Sequence, residues 1–210
     1  MIKIITEQML DELRESLSSS MSEKRYGHTL GVEREADRLA SLYCPEKKNM
    51  LRAAALLHDL TKEYTREAHY EIMRAHGIDT TEAERQSKKL LHSLTASLVI
   101  PERYSEFSSE ELVRAVRVHT TGDSDMSISD KIIYLADYIE DTRTFFDCVT
   151  LREYFWGGIK RGEDKHRHLD KTLILSFDMT IRDLIENNSL ISNKTVEARN
   201  SLLLSMDKGV

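Results

Sequence analysis

The sequence predicts an all-α fold, and three observations support that prediction. Apolar residues recur at helical spacing along almost the whole chain. Only two prolines and eight glycines occur among its 210 residues, which favours long helices over a turn-rich β fold. No segment alternates apolar and polar residues in the manner of a half-buried strand. We therefore expect one helical-bundle domain over residues 1–210, with its core at about 22–143 and a helical C-terminal extension at about 151–205.

Apolar periodicity predicts a series of separate helices. They are expected at residues 7–17, 23–43, 50–57, 67–75, 131–140, 151–160, 170–186 and 195–205. The segment 50–57 is apolar nearly all round, which indicates a central helix with neighbours on several sides. Pro45 limits the helix before that segment, and Gly77 lies just beyond the end of the helix after it.

Capping boxes add helix starts that periodicity alone leaves undefined. A serine or threonine stands three residues before an acid in the pairs Thr81/Glu84, Ser108/Glu111 and Ser127/Asp130. The first two pairs place helix starts near Glu82 and Ser109, and the helix from Ser109 is expected to lead to His119. The third pair opens the helix expected at 131–140.

The charge of the chain restricts its partners. A formal net charge of −6 argues against a nucleic-acid groove or an anionic membrane surface as the main partner. A small phosphorylated substrate stays compatible with this charge, because a bound metal would make one pocket positive inside a negative protein. We therefore expect a small-molecule partner, with neither nucleic acid nor membrane bound.

The cysteines and the apolar segments predict a cytoplasmic address. Cys44 and Cys148 are far apart and form no Cys-x-x-Cys motif, which indicates reduced thiols. The first residues lack the apolar core and the cleavage site of a signal peptide. No stretch approaches the roughly 18 apolar residues of a membrane span. The expectation is a soluble cytoplasmic protein.

Histidines and acids stand at the borders of several apolar segments. The candidate metal ligands are His28, His58, Asp59, His92, His119 and Asp137. A single histidine on an apolar helix is more often a hydrogen-bonded core residue than a ligand, but four together with two acids indicate a metal centre. Imidazole nitrogens and carboxylate oxygens suit iron, manganese, cobalt or zinc, and the lack of cysteine ligands argues against a structural thiolate zinc site. Six ligands for two ions would leave positions open for water and phosphate oxygens.

The other histidines and several aromatic residues are expected to have structural roles. His69, His76, His166 and His168 lie in charged, loop-like surroundings and are expected at the surface. A further set of aromatic residues could stack on a nucleobase, but aromatics at helical spacing more often belong to the core. This set is Tyr134, Tyr138, Phe145, Phe146 and Trp156.

Polar residues next to the candidate ligands are candidates for phosphate contact. Lys62 falls three residues after Asp59, where an ammonium group could neutralise charge on a phosphate, or it is a solvated lysine. Arg25 lies one turn before His28 and either holds a phosphate with two hydrogen bonds or forms a surface salt bridge. The run Thr120-Thr121-Gly122 is equally compatible with a phosphate cradle and with a plain helix stop.

Asp59 and Glu140 each have a more specific expected role. Asp59 has two carboxylate oxygens with which to bridge two ions at a helix end. Glu140, one turn after Asp137, either orients a histidine ligand from outside the coordination sphere or serves as a cap or surface ion-pair partner.

The order of these residues resembles a known family. The sequence His28, His58-Asp59, Asp137 resembles the signature of the HD-domain phosphohydrolases, and His92 and His119 match the subgroup with a two-metal centre. Four stretches, at residues 25–28, 56–62, 119–122 and 134–140, are similar to motifs of the bacterial YqeK family. They read Arg-Tyr-Gly-His, Leu-Leu-His-Asp-Leu-Thr-Lys, His-Thr-Thr-Gly and Tyr-Leu-Ala-Asp-Tyr-Ile-Glu. The resemblance covers roughly residues 22–143.

This resemblance implies an HD-domain helical bundle that cleaves diadenosine tetraphosphate symmetrically into two ADP, using water activated by two metal ions. It implies iron as the metal, with manganese or cobalt compatible with the ligands. Asp59 and Lys62 would be catalytic. The residues that would contact the substrate are Arg25, Lys62, Thr120, Thr121, Gly122 and Arg143.

Three other functions keep the same fold. They are an HD-domain nucleotide phosphatase, a guanosine tetraphosphate hydrolase, and a regulatory HD domain that binds a nucleotide without turnover. The partner is expected to be a dinucleoside polyphosphate or another nucleotide. The oligomeric state stays open, with a homodimer among the alternatives.

Overall fold

The computed structural model describes residues 4–79 and 88–207, and the regular secondary structure there is entirely helical. The α-helices are α1 (Glu7–Ser18), α2 (Glu23–Tyr43), α3 (Lys48–Leu57), α4 (Arg66–Ala75), α5 (Lys88–Arg103), α6 (Glu110–Val118), α7 (Ile128–Ile139), α8 (Phe146–Lys160), α9 (Lys165–Glu186) and α10 (Asn193–Asp207). Short 3-10 turns at Pro45–Lys47 and Ser105–Phe107 precede α3 and α6. The predicted all-α fold is confirmed. Among these helices, none is both long and apolar enough to cross a bilayer.

Side-chain caps explain where two of the helices begin. The Ser127/Asp130 capping box is confirmed, since Ser127 Oγ accepts from the Asp130 N–H and the Asp130 carboxylate accepts from the Ser127 N–H. The Ser108/Glu111 box is wrong by one residue, because Ser109 caps α6 and Glu111 instead accepts bonds from Lys47 and Ser129. The predicted pair Thr81/Glu84 and the start near Glu82 lie outside the described residues.

The remaining helix bounds agree with the apolar periodicity, with three differences. The helices α8 and α9 begin at Phe146 and Lys165, five residues before the predicted positions 151 and 170. The helix α5, which carries His92, has no counterpart among the helices that periodicity predicts. Polar residues occupy the first turn of α9, so the apolar pattern underestimates the length of that helix.

The central position predicted for the segment 50–57 is confirmed. It forms most of α3, which packs against α1, α2, α6 and α7. The run Ala53–Leu57 is completely buried, and its alanines leave room for the neighbouring helices to approach. The helices α8 and α9 pack against α7, and Tyr134 and Tyr138 of α7 join α9 through hydroxyl bonds of 3.2 and 2.9 Å. The C-terminal helices therefore share a core with the rest of the bundle.

Two of the four histidines expected at the surface are buried. His168 Nε2 donates a bond of 3.0 Å to the carbonyl oxygen of Phe155, and its ring fills the space beside Gly158. His69 lies 2.8 Å from the hydroxyl of Thr95. The surface prediction is wrong for both, because polar neighbours in sequence do not reveal which face of a helix is covered. His166 is exposed, as predicted, and His76 is half-buried.

The core assignment of the aromatic residues is correct in part. Tyr134 is buried, and Tyr138 and Trp156 pack against the core. Phe145 and Phe146, by contrast, are 72% and 81% exposed, so the core prediction is wrong for them. Phe145 is the N-cap residue of α8, and Phe146 is its first residue.

Gly122 forms the turn that follows α6 and contacts the C-terminal helices. Its φ is +68°, and its N–H bonds the carbonyl oxygen of Val118 at 2.8 Å. A Cβ atom at this position would lie 2.6 Å from Phe177 and 2.9 Å from Ala198. Both the backbone conformation and the packing therefore require glycine.

We expect Gly122→Ala to lower the free energy of unfolding by about 1–3 kcal/mol more than the control variant Gly162→Ala. Gly162 also has a positive φ, of +78°, but nothing lies within 4 Å of its missing side chain. The control therefore carries the backbone strain without the clash. Urea unfolding followed by circular dichroism measures the difference. Equal loss in the two variants would contradict the packing role of Gly122.

Candidate metal centre

Two of the candidate ligands, His58 and His119, occupy the C-terminal ends of helices. His58 follows α3 and His119 follows α6. The Nδ1 atom of His58 lies 2.6 Å from the carbonyl oxygen of Ala55, and that of His119 lies 2.6 Å from the carbonyl oxygen of Val116. A carbonyl oxygen only accepts hydrogen bonds, so each Nδ1 carries a proton and donates it. In the neutral ring, Nε2 is then the atom that can bind a metal ion.

Asp59, directly after His58, turns its two carboxylate oxygens towards different histidines. Oδ2 lies 3.4 Å from His58 Nε2 and 3.7 Å from His28 Nε2. Oδ1 lies 3.1 Å from His92 Nε2 and 3.9 Å from His119 Nε2. The Asp59 side chain is only 1% exposed. It therefore lies between two sets of ring nitrogens and offers one oxygen to each.

The candidate ligands form two adjacent groups. Ligand atoms of His28, His58 and Asp137 lie within 4.8 Å of one another, and so do those of His58, Asp59 and His119. His92 Nε2 joins the latter set at 3.0 Å from His119 Nε2. We call His28, His58 and Asp137 the first ligand group, and Asp59, His92 and His119 the second ligand group. All six predicted ligands therefore come together, from α2, the turn after α3, α5, the turn after α6, and α7.

The residues of both groups fit divalent cations. The buried atoms His28 Nε2, His58 Nε2 and Asp59 Oδ1 have no hydrogen-bond partner among the described residues. Buried polar groups are normally hydrogen-bonded, and leaving one unsatisfied costs about 1–3 kcal/mol. These three atoms instead point at other nitrogens and oxygens of the cluster. Cations between the groups would satisfy them, and nitrogen and oxygen donors suit first-row transition metals.

The electrostatics of the centre favour metal ligation at most of these positions. Burial raises the pKa of Asp59, but the charge and hydrogen bond of His58, together with the His92 hydrogen bond and the Lys62 charge, outweigh burial and hold that pKa well below its usual range. Burial likewise raises the pKa of Asp137, but the Arg143 guanidinium and the hydrogen bonds of His28 and His58 together lower it well below the usual range. Burial lowers the pKa of both His92 and His119. The carboxylates are therefore ionised and these two rings are neutral, as metal ligands must be.

His58 is the exception among the ligands. Burial lowers its pKa, but the neighbouring Asp59 carboxylate, together with Asp137, outweighs burial and raises the pKa to about 9. A proton and a metal ion therefore compete for Nε2 of His58 around neutral pH.

Three basic side chains border the ligand groups. Arg25 donates a hydrogen bond to Asp59 Oδ2, and Arg143 donates one to Asp137 Oδ1. Lys62 Nζ lies 3.4 Å from Asp59 Oδ1 and 3.0 Å from His92 Nε2. These side chains are 25%, 27% and 28% exposed, so each reaches both the centre and solvent. An anion next to a metal ion bound at this centre would therefore lie within reach of Arg25, Lys62 and Arg143.

The threonine–glycine turn after His119 contributes only one of its three predicted residues to the centre. Thr120 Oγ1 lies 3.3 Å from His92 Nε2. The Thr121 hydroxyl instead bonds the carbonyl oxygen of Gly122, and the Gly122 N–H is taken by Val118. The Thr121 hydroxyl and the Gly122 N–H therefore serve the turn itself in this structure, as the helix-stop alternative expects.

Glu140 combines two of the alternatives left open for it, because its carboxylate orients His28 and its backbone N–H caps the end of α7. Its Oε1 lies 3.1 Å from His28 Nδ1. Its carboxylate also accepts bonds of 2.7 Å from the N–H and from the hydroxyl of Thr142. Glu140 is completely buried. The His28 ring is thus held through Nδ1, like the rings of His58 and His119, with Nε2 left for a metal ion.

Gly31 leaves the space that the Glu140 carboxylate occupies, and the sequence motifs do not predict this role. A Cβ atom on Gly31 would lie 2.2 Å from Glu140 Oε2. Glycine in the middle of a helix is destabilising by about 0.5–1 kcal/mol relative to alanine, so its presence inside α2 calls for a packing reason. An isolated glycine within a helical pattern is the signal that points to such a position.

A model of a known protein family matches this chain. The family is described as "HD domain", and the match covers residues 25–142, which include all six candidate ligands. The chain belongs to the HD-domain family. The HD-domain fold that the sequence motifs implied is therefore confirmed.

Three relatives of this HD-domain hydrolase are named "Bis(5'-nucleosyl)-tetraphosphatase, symmetrical". The Staphylococcus aureus protein is 27% identical over 191 residues, which cover 91% of this chain and 93% of the relative. The Halalkalibacterium halodurans protein is 30% identical over 184 residues, which cover 88% and 91%. The Bacillus subtilis protein is 31% identical over 140 residues, which cover 64% and 71%. The resemblance to this group extends beyond the metal centre into the C-terminal helices.

A solved structure has the same fold. It is a predicted HD superfamily hydrolase involved in NAD metabolism from Clostridium acetobutylicum, with 34% sequence identity and a TM-score of 0.81. The superposition covers 93% of this chain and 97% of that chain. The likeness therefore includes the helices that follow the HD core.

We expect Gly31→Ala to weaken metal binding at the first ligand group by about 10–100-fold, the range typical for loss of an outer hydrogen bond to a ligand. The added methyl group would displace Glu140 and release the His28 ring. Gly27→Ala is the matched control, since Gly27 lies on the same helix and nothing lies within 4 Å of its missing side chain. Calorimetric titration with Mn²⁺ measures both variants. Unchanged affinity in Gly31→Ala would contradict the role assigned to Glu140.

The pKa of His58 predicts how metal binding depends on pH. Since the pKa is raised from 6.5 to about 9, Nε2 must lose a proton before it can bind an ion. We expect the affinity of the first ligand group to increase as the pH rises towards 9, with about one proton released per ion bound. Titrations in buffers of different ionisation enthalpy count the protons. A pH-independent affinity without proton release would contradict this competition.

Proposed function

We propose that this HD-domain hydrolase cleaves diadenosine tetraphosphate symmetrically into two ADP, using a water molecule activated by two divalent metal ions. The observation that carries the proposal is the position of Asp59, with one carboxylate oxygen facing each set of histidines. The three relatives named as symmetrical tetraphosphatases support the choice of substrate. When bound, two such ions lower the pKa of water and neutralise charge on phosphate oxygens.

The two ligand groups would divide the ions between them. The first ligand group would hold one ion and the second ligand group the other, with Asp59 bridging. His58 has a single ring nitrogen free for metal, so it serves only one of the two ions. The resemblance to the family supports iron as the resident metal, and nitrogen and oxygen donors without thiolates equally accept manganese or cobalt.

The chain's own side chains would bind and orient the phosphates. Arg25 and Arg143 can each hold phosphate oxygens with two parallel hydrogen bonds. Lys62, beside Asp59 Oδ1, would place a point charge where negative charge develops on the phosphate, and this is the catalytic role proposed for it. Thr120 would add a hydroxyl at the edge of the second ligand group. The substrate contacts proposed are thus Arg25, Lys62, Thr120 and Arg143.

The cellular setting follows from the same observations. Cys44 and Cys148 are buried and unpaired, which supports a reducing, cytoplasmic location.

Hydrolysis of another nucleotide, or binding without turnover, would use the same metal centre. The reaction products therefore distinguish the proposal from the alternatives, which are a nucleotide phosphatase, a guanosine tetraphosphate hydrolase and a domain that binds a nucleotide without turnover. The molecular mass in solution shows whether the protein is a homodimer.

Product analysis tests the proposal directly. With Mn²⁺ or Fe²⁺ added, we expect diadenosine tetraphosphate to yield ADP alone, separated by anion-exchange chromatography. The variant His58→Ala should lose both activity and the ion of the first ligand group, because its Nε2 is that group's central nitrogen. His166→Ala is the matched control, since His166 is exposed on α9. Products of ATP and AMP, or full activity in His58→Ala, would refute the proposed reaction.

A further inference from the structure

Two threonine hydroxyls connect the turn that carries Asp59 to the helix that carries His92. Thr61 and Thr95 are both completely buried, and their Oγ1 atoms lie 2.8 Å apart. Thr61 Oγ1 donates to the carbonyl oxygen of His92 at 2.9 Å. Thr95 Oγ1 lies 2.8 Å from Nδ1 of the buried His69. Neither hydroxyl has a role in the reaction proposed above.

The hydrogens of this network can be assigned to their acceptors. The Thr61 hydrogen goes to the carbonyl oxygen of His92, because a carbonyl only accepts. The Thr95 hydrogen is shared between Thr61 Oγ1 at 2.8 Å and the carbonyl oxygen of Leu91, one turn earlier on α5, at 2.9 Å. His69 Nδ1 donates to Thr95 Oγ1. The bonds therefore connect α4, α5 and the turn after α3, and they end at the backbone of His92.

The hydrogen-bond network ends at a candidate metal ligand, His92, and can therefore affect the metal centre. Thr61 lies two residues after Asp59, and its bond reaches the backbone of a ligand residue directly. It therefore fixes the separation between α5 and the turn after α3, at the point where His92 Nε2 lies 3.1 Å from Asp59 Oδ1. Otherwise α5 packs chiefly against α4 and α6. A shift of α5 would move His92 away from Asp59 and leave that turn in place.

The first ligand group is held by bonds of a different kind. His28 is fixed by Glu140, and His58 by the carbonyl oxygen of Ala55. Asp137 lies on α7, which does not take part in the threonine network. None of these bonds involves α5. Loss of the network would therefore act on the second ligand group alone.

We propose that Thr61 and Thr95 are positioning residues that set the geometry of the second ligand group and thereby control the binding of the second metal ion selectively. This inference rests on the two-ion centre of the proposed function. A threonine hydroxyl that bonds a ligand's backbone controls the distance between the ligand's helix and the bridging carboxylate. The contribution is to ligand placement, and neither hydroxyl is expected to touch the substrate.

The test replaces each hydroxyl by a methyl group of similar size. Thr61→Val and Thr95→Val remove a hydrogen bond without opening a cavity, and Thr61→Ser restores the hydroxyl. Thr172→Val is the matched control, because Thr172 is also completely buried and its hydroxyl bonds a carbonyl oxygen, that of His168, at 2.8 Å, away from the centre. Mn²⁺ binding is followed by calorimetry, and electron paramagnetic resonance distinguishes coupled ion pairs from single ions.

We expect the unaltered protein to bind two ions as a coupled pair. Thr61→Val and Thr95→Val should keep one ion at unchanged affinity and bind the other about 10–100-fold more weakly, with the coupled signal reduced. Thr61→Ser should restore the pair, and Thr172→Val should behave as the unaltered protein does.

Three outcomes would overturn the inference. They are equal weakening of both ions, no change in either, and failure of Thr61→Ser to restore the second ion. Fewer than two ions in the unaltered protein would refute the two-ion centre itself, and with it the inference. Failure of the proposed function is thus visible in the unaltered protein, whereas failure of the positioning role is visible only in the variants.

Discussion

Asp59 is the residue around which the centre is built, because its two carboxylate oxygens face different histidines at 3.1–3.9 Å. A carboxylate can occupy that position only if the chain beneath it cannot move. The helix α3 provides this rigidity, since its last turns are completely buried among four neighbouring helices. Burial on all sides therefore serves the site as well as the stability of the bundle.

The histidine rings are oriented by acceptors that differ in kind but act alike. Backbone carbonyl oxygens hold His58 and His119, and the carboxylate of Glu140 holds His28. Each bond occupies Nδ1 and turns Nε2 inwards. Two of the three acceptors belong to the helix that the histidine itself terminates, so the position at a helix end and the ring orientation arise together.

The sequence was sufficient to predict most of the helices and to single out the six candidate ligands that the fold brings together, because both depend on local pattern. Apolar periodicity reveals a helix, and a histidine at the border of such a segment is visible without coordinates. Burial by distant segments leaves no such mark, which is why His69 and His168 were expected at the surface. The core prediction was wrong for Phe145 and Phe146 for the converse reason. Helical spacing does not show whether another helix covers the side of the helix on which they lie. The role of Gly31 depends on Glu140, 109 positions later in the chain, and only the fold brings them together.

The span of the first ligand group has a further consequence. His28 and Asp137 are separated by 109 positions (137 − 28), yet their ligand atoms lie 3.0 Å apart. An ion held by both would join two distant parts of the chain, and it would bind the folded chain in preference to the unfolded one, in which these ligands lie apart. By mass action, resistance to unfolding would then follow the concentration of free metal. The stability of the fold and the metal-dependent hydrolytic activity would therefore increase and decrease together with the free metal concentration.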